Sequence, residues 1–330
     1  MTNSHIRLNR ATHEWVIYAP SRRKRPQDFQ SKQLQPAPLD EKQRCPFCPH
    51  QKPEQILLEL PNADASGWQT RVVSNKFPAL TPDVEPHRSL SGIYLALPGY
   101  GHHEVLIESP DHDQTPATMS VEAISAIIES YRQRYLALIK IPQNLFIIIF
   151  RNHGKAAGAS LRHPHSQIIA TPIVPRHYRW QEDEAQRYFD EWGRCAYCDM
   201  LEFELGDRQR LVGENEEFVA FIPYAAEVPF EIMILPKQHS ADFGTISPSQ
   251  VQSFASLLKY ILHRLYVKLH NPDYNYAILT AARYKADEPH LHWYCQIRPR
   301  LGTPAGFEMG SGISINPSLP EADAAFLNSV

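Results

Sequence analysis

Two stretches of the chain place apolar residues at helical spacing, and short apolar runs typical of strands follow each of them. Between residues 121 and 139 the apolar positions recur every three or four residues, and Ser120 precedes them as a helix cap. A second amphipathic stretch runs from Pro248 to residue 268, and a proline suits the first turn of a helix. The strands predicted after these helices cover residues 145–150, 163–170, 276–279 and 292–297.

The two halves of the chain repeat the same order of elements. His112 and His163 lie 51 positions apart (163 − 112), and His239 and His290 have the same separation (290 − 239). Each interval holds one helix and then a strand, so an internal duplication is the economical explanation. We therefore predict an α+β protein of two related halves, residues 1–175 and 176–330, each an antiparallel sheet with packed helices.

Composition narrows the class of protein. The 330 residues are 43% hydrophobic and carry a formal net charge of −3, which is typical of a folded protein and gives no basic excess for nucleic acid. The opening sequence is polar, without a signal-peptide pattern, and no window holds about 18 uninterrupted apolar residues. We therefore expect a cytoplasmic protein that binds neither membrane nor nucleic acid.

Four of the five cysteines form two Cys-x-x-Cys pairs, Cys45 with Cys48 and Cys195 with Cys198. In a chain without an export signal, metal ligation is a better interpretation of such pairs than disulfide bonding. A redox pair is the alternative for Cys45 and Cys48. The fifth cysteine, Cys295, lies in a predicted strand and is interpreted as a buried small residue.

The segment His163-Pro164-His165 carries the clearest indication of chemistry. Residues two apart on a strand face the same side, so the two histidines emerge together, and Pro164 suits an edge or irregular position. The preceding residues 154–160 are small and can approach a phosphate closely. Two partly exposed strand histidines are the alternative for this segment taken alone. His102 and His103 have no partner pattern and are interpreted as polar loop residues.

The order of short motifs resembles the galactose-1-phosphate uridylyltransferase family, a branch of the histidine-triad superfamily. The resemblance spans nearly the whole chain and rests on Pro20-Ser21-Arg22-x-x-Arg25-Pro26, Cys45-x-x-Cys48, residues 74–80 and 109–112, Asn152 with Gly158-x-Ser160, His163-Pro164-His165-x-Gln167, and residues 221–224 and 229–239. It implies two histidine-triad-like domains: residues 1–175 with a zinc site and the nucleophile, and residues 176–330 with a second metal site.

The resemblance also implies roles for individual residues. His165 would attack the α-phosphorus of a nucleotide-sugar and form a nucleotidyl-histidine, and Gln167 would donate a hydrogen bond to the phosphate. The residues implied in substrate binding are Arg22, Arg25, Asn75, Asn152, Gly158, Ser160, Phe307 and Glu308. The expected partners are a nucleotide-sugar and a sugar phosphate or phosphate, and the chain is expected to form a homodimer.

Two metal sites follow from the same resemblance. Cys45, Cys48, His112 and His163 would form a filled tetrahedral zinc site, which is a structural arrangement. Cys195, Cys198 and His239 would belong to a second site. The fourth ligand there stays open, because the 51-residue spacing favours His290 whereas the family pattern favours His292. A cluster without metal is the alternative for this second site.

The sequence departs from uridylyltransferases on the acceptor side. Residues 302–308 keep Phe307 and Glu308 but lack the lysine that precedes such a pair in those enzymes, and residues 306–317 resemble the ADP-glucose phosphorylase relatives. Lys76 also stands where an acidic residue is common. The first expectation is UDP-glucose:hexose-1-phosphate uridylyl transfer by a ping-pong reaction. The alternatives are an ADP-glucose phosphorylase, which uses inorganic phosphate as acceptor, and a non-catalytic, zinc-scaffolded nucleotide-binding protein.

Overall fold

The computed structural model describes residues 3–22, 38–51, 53 and 55–329. The strands are β1 (His5–Leu8), β2 (Trp15–Tyr18), β3 (Ile56–Pro61), β4 (Trp68–Ser74), β5 (Ser89–Ser91), β6 (Tyr94–Ala96), β7 (His102–Ile107), β8 (Phe146–His153), β9 (His165–Thr171), β10 (Leu211–Glu214), β11 (Phe218–Phe221), β12 (Ile232–Pro236), β13 (Tyr274–Leu279), β14 (Tyr294–Pro299) and β15 (Ser314–Asn316). The helices are α1 (Leu39–Arg44), α2 (Val121–Ile139), α3 (Arg176–Trp192), α4 (Ala196–Asp207), α5 (Pro248–Lys268), α6 (Gly306–Ser311) and α7 (Pro320–Asn328). None of the helices in these ranges combines the length and the apolar composition that crossing a bilayer requires.

The two long helices begin at the capping residues that the sequence contains. At the start of α2 the Ser120 hydroxyl accepts the Ala123 N–H at 3.2 Å. At the start of α5, Ser247 and Gln250 form a reciprocal capping box with Pro248 in the first turn. Both caps satisfy backbone donors that a helix leaves without intrahelical partners. The predicted bounds of both helices are therefore confirmed.

Among the described residues, ten strands form one antiparallel sheet in the order β10-β11-β12-β14-β13-β8-β9-β7-β4-β3. Counted from each edge of the sheet to its centre, the strands of the two halves have the same spatial order: β3, β4, β7, β9, β8 in one half and β10, β11, β12, β14, β13 in the other. α2 connects β7 to β8, and α5 connects β12 to β13. The α+β class with antiparallel sheets and packed helices is confirmed, and the repeated topology agrees with an internal duplication.

The two halves of the sheet join through β8 and β13. This antiparallel pairing aligns Asn152 with Asn275 and His153 with Tyr274. The repeated sequence pattern predicts two sheets and gives no sign of this edge-to-edge pairing. Its consequence is that residues of β13 lie beside the loop that follows β8.

The two faces of the sheet are covered by different parts of the chain. α2 and α5 pack on one face, where Ile124, Ile128, Phe254 and Ile261 are fully buried against the strands. The alternate residues of the same strands, among them His165 and Gln167 of β9, point to the opposite face. In the second half α4 covers that opposite face with buried Tyr197 and Leu201. In the first half the corresponding area faces a cavity.

A small three-stranded sheet brings the first and last described segments together. β1 pairs antiparallel with β2, and β15 pairs parallel with β2. Arg7 of β1 and Glu321 of α7 form an ion pair with an Nη1–Oε1 distance of 2.8 Å. Because β15 belongs to the second predicted domain and β2 to the first, the boundary between residues 175 and 176 stays a prediction.

A buried hydroxyl cluster gives a test of the seam between the halves. The Tyr131 hydroxyl of α2 lies 2.7 Å from Ser166 Oγ of β9 and 2.7 Å from the Tyr276 hydroxyl of β13. We expect Tyr131→Phe to lower the free energy of unfolding by about 1–3 kcal/mol, because it leaves two buried hydroxyls short of a partner. Denaturant unfolding with an unchanged m-value measures this loss.

The matched control is Tyr135→Phe one turn further along α2. The Tyr135 side chain is equally buried, but its hydroxyl lies 3.5 Å from Thr280 Oγ1, the outer limit of a hydrogen bond. The control variant should lose less stability than Tyr131→Phe. Equal losses would mean that the hydroxyl cluster does not stabilise the seam.

Candidate active site and metal centres

A cavity of about 940 Å³ opens beside the start of β9. Its walls come from α1, the segment after β7, the end of β8 and the loop that follows it, and they include His163 and His165. The second half of the chain contributes Tyr266, Asn271 and Asp273 to the same cavity. The cavity therefore lies over the seam of the sheet, next to the histidines that the sequence singles out.

His165 is held with one ring nitrogen directed at the backbone and the other available. Its Nδ1 lies 2.8 Å from the carbonyl oxygen of His163, so Nδ1–H donates and Nε2 keeps the lone pair. No described residue forms a hydrogen bond with this Nε2. Burial lowers the pKa of His165, and it outweighs the hydrogen bond to the His163 carbonyl and the Glu108 carboxylate, both of which act to raise that pKa. A neutral imidazole with an available Nε2 is a competent nucleophile.

A buried ion pair supports the segment that carries His165. Arg151 Nε lies 2.9 Å from Glu108 Oε2, with side-chain exposures of 3% and 0%. The Glu108 N–H donates to the Pro164 carbonyl at 3.0 Å, and Arg151 Nη1 lies 3.4 Å from the Tyr274 hydroxyl. Burial alone would lower the pKa of Arg151, and the Glu108 carboxylate reverses this so that the net direction is upward. The backbone N–H of Glu108 therefore fixes the backbone between His163 and His165, and the ion pair fixes the Glu108 and Arg151 side chains beside it.

The loop of small residues after β8 is anchored by β13 and the residue before it. Gly154 has φ of 83°, and a Cβ there would overlap the Asp273 carboxylate, so glycine is required. Asp273 Oδ2 accepts the Ala156 N–H at 2.6 Å. Asn275 Nδ2 donates to Asn152 Oδ1 at 2.7 Å and to the Ala157 carbonyl at 2.9 Å. The Asn152 amide nitrogen is thereby left for the cavity, which Asn152 and Ser160 line.

Gln167, Asn75 and His103 form a cluster around one imidazole ring. His103 Nε2 lies 2.7 Å from Gln167 Oε1 and 3.0 Å from Asn75 Nδ2. His103 is on β7, not in a loop, so the loop interpretation of His102 and His103 is wrong. It fails because the six residues 102–107 pair with β9 over their whole length.

The remaining predicted binding residues are not brought to the cavity within one chain. Arg22 is exposed in a 3₁₀ turn after β2, and Phe307 is 49% exposed on α6. The Glu308 carboxylate accepts the Ala305 N–H at 3.1 Å. Gly158, with φ of 87°, ends the 3₁₀ turn Lys155–Ala157 of the small-residue loop. Arg25 lies outside the described residues.

The first metal cluster has the geometry of a tetrahedral site. Cys45, Cys48, His112 and His163 are all buried, and their ligand atoms lie within 4.8 Å of one another. Cys48 Sγ is 3.5 Å from His112 Nδ1 and 3.7 Å from His163 Nδ1. Zinc bonds of about 2.3 Å to sulfur and about 2.0 Å to nitrogen, at a tetrahedral angle, separate such atoms by about 3.5 Å. The donor set therefore fits zinc.

His163 is oriented by its other ring nitrogen. Nε2 lies 2.8 Å from the Ser109 carbonyl oxygen, so Nε2–H donates and Nδ1 faces the cysteines. Such a hydrogen bond fixes the tautomer that a ligating histidine needs. The same residue presents its own carbonyl to His165. The ligand cluster and the candidate nucleophile are thus two residues apart and joined by one backbone group.

The second cluster combines Cys195, Cys198 and His239, with Cys198 Sγ 3.3 Å from His239 Nδ1. Hydrogen bonds with Cys198 and His239 lower the pKa of the Cys195 thiol, which favours a thiolate. The His292 ring lies 5.2 Å from that of His239 at 85°, which repeats the 5.2 Å and 86° between His112 and His163.

The two histidines considered as a fourth ligand differ in their surroundings. The His292 Nδ1–H donates to the Trp293 carbonyl at 2.9 Å, and its Nε2 is buried without a hydrogen-bond partner among the described residues. Both ring nitrogens of His290 are also buried without a hydrogen-bond partner among the described residues, but its Nδ1 lies 3.6 Å from Glu288 Oε2 and its carbonyl faces the Cys195 thiol at 3.6 Å. His292 also precedes β14 by two residues, as His163 precedes β9.

Sequence reasoning missed four residues that shape the site: Glu108, Arg151, His103 and Asn275. Glu108 directly precedes the motif at residues 109–112, and Arg151 directly precedes Asn152. A charged residue at the end of an apolar strand pattern could have indicated that each of them needs a buried partner. His103 could have been found from the period of two along β7, which places it on the face of Val105 and Ile107. Asn275 had no local signal, because it reaches the site through the pairing of β8 with β13.

Comparisons with known proteins agree with this arrangement. Residues 1–175 match the model of the galactose-1-phosphate uridyl transferase N-terminal domain, and residues 181–301 match that of the C-terminal domain. An ADP-glucose phosphorylase from Arabidopsis thaliana is 35% identical over 98% of this chain and 92% of its own length. A galactose-1-phosphate uridylyltransferase from Thermotoga maritima is 30% identical over 97% of this chain and 96% of its own length.

Solved structures give the same result. The crystal structure of an Arabidopsis thaliana ADP-glucose phosphorylase with bound ADP-glucose superposes with a TM-score of 0.84 and 32% identity, covering 99% of each chain. A uridylyltransferase structure superposes with a TM-score of 0.76 and 25% identity over 98% of this chain and 97% of its own. The resemblance seen in the sequence is therefore confirmed. The chain belongs to the galactose-1-phosphate uridyl transferase family and is an enzyme of the nucleotidyltransferase type.

Proposed function

We propose that the protein transfers a nucleotidyl group from a nucleoside-diphosphate-hexose to a phosphate acceptor through a covalent adduct on His165. The observation that carries this proposal is the available Nε2 of His165, whose ring is fixed by its Nδ1 hydrogen bond beside the cavity. The nearby cluster of two cysteines and two histidines already offers four metal ligands. A metal held there would have no open position for substrate, so we assign the chemistry to the imidazole.

The reaction has two steps. His165 Nε2 attacks the α-phosphorus, a nitrogen–phosphorus bond forms, and the bond from that phosphorus to the bridging oxygen breaks. Hexose 1-phosphate leaves with the bridging oxygen and its electron pair, while the Nδ1 proton stays on the ring. In the second step an oxygen of the acceptor phosphate attacks the same phosphorus, and the bond to Nε2 breaks. His165 is returned in its starting form.

Neutral donors stabilise the charge on the α-phosphate. The amide nitrogens of Asn152 and Gln167 are the donors that their own oxygen contacts leave available. Gly158 and Ser160 lie on the loop that approaches the cavity, where backbone N–H groups can bind phosphate oxygens. Donors fixed before the reaction cost no reorganisation when the charge develops.

Inorganic phosphate is the acceptor that the observations favour, and the donor is then ADP-glucose. The Arabidopsis thaliana ADP-glucose phosphorylase shares 35% identity with this chain, against 30% for the Thermotoga maritima uridylyltransferase. Residues 302–308 also lack the acceptor lysine of uridylyltransferases. Uridylyl transfer from UDP-glucose to a hexose 1-phosphate is the second candidate, because the uridylyltransferase relative aligns over nearly its whole length.

The acceptor side of the site would be completed in a homodimer. Phe307 and Glu308 lie outside the cavity of their own chain, and on α6 Phe307 is exposed while Glu308 is half-buried. A second copy that presents these two side chains to the cavity accounts for their match to the family pattern. Arg22 and Arg25 would add positive charge near the diphosphate.

Zinc is the metal that fits both clusters. We propose that Cys45, Cys48, His112 and His163 hold one ion and that Cys195, Cys198, His239 and His292 hold a second. A filled four-ligand zinc site stabilises the fold and has no open position for substrate. Its contribution to catalysis is to fix His163 and, through the carbonyl of that residue, the ring of His165.

Replacing the nucleophile tests the covalent step. We expect the wild-type protein to gain the mass of one nucleotidyl group after mixing with ADP-glucose or UDP-glucose, when quenched without acid. His165→Asn keeps an N–H for the His163 carbonyl but has no nucleophilic nitrogen, so labelling should vanish and turnover should fall at least about a thousandfold. Intact-mass spectrometry and zinc analysis of the same sample measure both. Loss of zinc in this variant would show that His165 is a ligand.

The acceptor is tested by a matched set of reactions. ADP-glucose with inorganic phosphate should give ADP and glucose 1-phosphate, each resolved by ion-exchange chromatography. UDP-glucose with galactose 1-phosphate should react at least about tenfold more slowly, because the acceptor lysine is missing from residues 302–308. Faster reaction of the second pair would make the protein a uridylyltransferase. It would not contradict the proposed covalent adduct on His165, because both reactions use that adduct.

Metal analysis distinguishes the two histidines proposed as fourth ligand. The protein should hold two zinc ions per chain by inductively coupled plasma mass spectrometry, one for each cluster. His292→Asn should reduce the content to one ion, whereas His290→Asn and the control Cys295→Ala should keep both. Retention of both ions in His292→Asn, with loss in His290→Asn, would make His290 the ligand.

A further inference from the structure

His103 lies where three groups meet, and only one of them can accept a proton from its ring. The Ala79 N–H donates to His103 Nδ1 at 3.1 Å. At the other ring nitrogen, Gln167 Oε1 lies 2.7 Å and Asn75 Nδ2 lies 3.0 Å from Nε2. The Asn75 amide is fixed as well, because its Oδ1 accepts the Phe77 N–H at 2.9 Å.

These contacts fix the tautomer of His103. A backbone N–H cannot turn into an acceptor, so Nδ1 must carry the lone pair that receives the Ala79 proton. A neutral ring then carries its proton on Nε2. Asn75 presents a donor nitrogen and cannot receive this proton, so Gln167 Oε1 is its acceptor.

The consequence concerns the direction of the Gln167 carboxamide. A free glutamine amide can turn by 180° and present either its oxygen or its nitrogen. Here the oxygen is held by His103, so the amide nitrogen is the end left for a ligand. On β9, Gln167 lies two residues after His165 and therefore on the same face of the sheet. A carbonyl oxygen turned toward a phosphate would repel it, whereas an N–H donates to it.

We propose that His103 is a positioning residue that keeps Gln167 a hydrogen-bond donor to the phosphate under attack by His165. The inference rests on the proposed function, since it assumes a nucleotidyl group at His165. His103 reaches Gln167 diagonally across the β7–β9 pair, where His103 is opposite Ile169 and Gln167 is opposite Val105. Its Nδ1 also accepts the Ala79 N–H, so this ring links the loop residue Ala79 to Gln167 on the sheet.

The test compares variants at residue 103 by the single-turnover rate of His165 labelling and by the KM for ADP-glucose or UDP-glucose, whichever labels. His103→Leu removes the donor and should slow labelling about tenfold with little change in KM. His103→Gln places an amide nitrogen the same number of bonds from Cβ as Nε2 and should restore most of the rate. His102→Leu is the control, since His102 points to the other face of β7, and it should label at the wild-type rate.

The same substitution made in a Gln167→Ala protein shows whether His103 affects the labelling rate by way of Gln167. Gln167→Ala alone should slow labelling roughly a hundredfold, because a phosphate donor is lost. In that background His103→Leu should cause no further loss, since interacting residues are non-additive. An undiminished tenfold loss there, a wild-type rate for His103→Leu, or a His103→Gln variant no faster than His103→Leu would each overturn the positioning role.

The ring itself gives a measurement that needs no variant. ¹⁵N NMR of wild-type protein labelled at histidine should show the His103 proton on Nε2, and a proton on Nδ1 would overturn the inference even if the leucine variant failed to fold. Absence of any adduct on the wild-type protein is a different result. It would overturn the proposed function, while the tautomer would still decide how Gln167 is oriented.

Discussion

One backbone carbonyl, that of His163, sets the geometry on which the candidate site depends. It accepts the Nδ1–H of His165 at 2.8 Å and so decides which ring nitrogen faces the cavity. The His163 ring meanwhile points Nδ1 at the cysteine pair, because its Nε2–H is held by the Ser109 carbonyl. Glu108 fixes the intervening Pro164 carbonyl from a third direction. The segment 163–165 is thus held at the His163 and Pro164 carbonyls, at His163 Nε2 and at His165 Nδ1, while His165 Nε2 stays available.

The second half of the chain repeats this scaffold without a histidine at the position of the proposed nucleophile. His292 repeats the place of His163 before its strand, and Tyr294 stands where His165 stands in the first half. Tyr294 is buried, its ring lies 5.3 Å from that of Tyr197, and burial raises its pKa far above the usual value. The helix α4 covers this face, which in the first half lines the cavity. The two halves therefore share their topology and the geometry of their cysteine–histidine clusters, whereas the first half places an imidazole where the second half places a phenol ring.

Local patterns predicted the two long helices and the strands around them, but not the helices α1, α3, α4, α6 and α7. The helices α2 and α5 and the shared face of His163 and His165 follow from periodicity, whereas the first four-residue ligand set came from the family resemblance. The spacing argument for His290 is less secure, because β14 begins two residues after His292, not after His290. The partners of Asn152 and Gln167 could not be read locally, since Asn275 and His103 reach them across strand pairs whose register the sequence does not state.

The second half of the chain contributes to the site by fixing which end of an amide side chain is available for a hydrogen bond. Asn275 holds the oxygen of Asn152 just as His103 holds the oxygen of Gln167, so both amides keep a nitrogen for the ligand. Arg151 is neutralised by Glu108, so in the proposed reaction oriented dipoles rather than this cation would stabilise the diphosphate. Because an amide oriented the wrong way repels the same phosphate that it should bind, the residues that fix these amides matter as much as the amides themselves. The edge-to-edge pairing of the two halves is what brings one of those residues, Asn275, to the first half's loop.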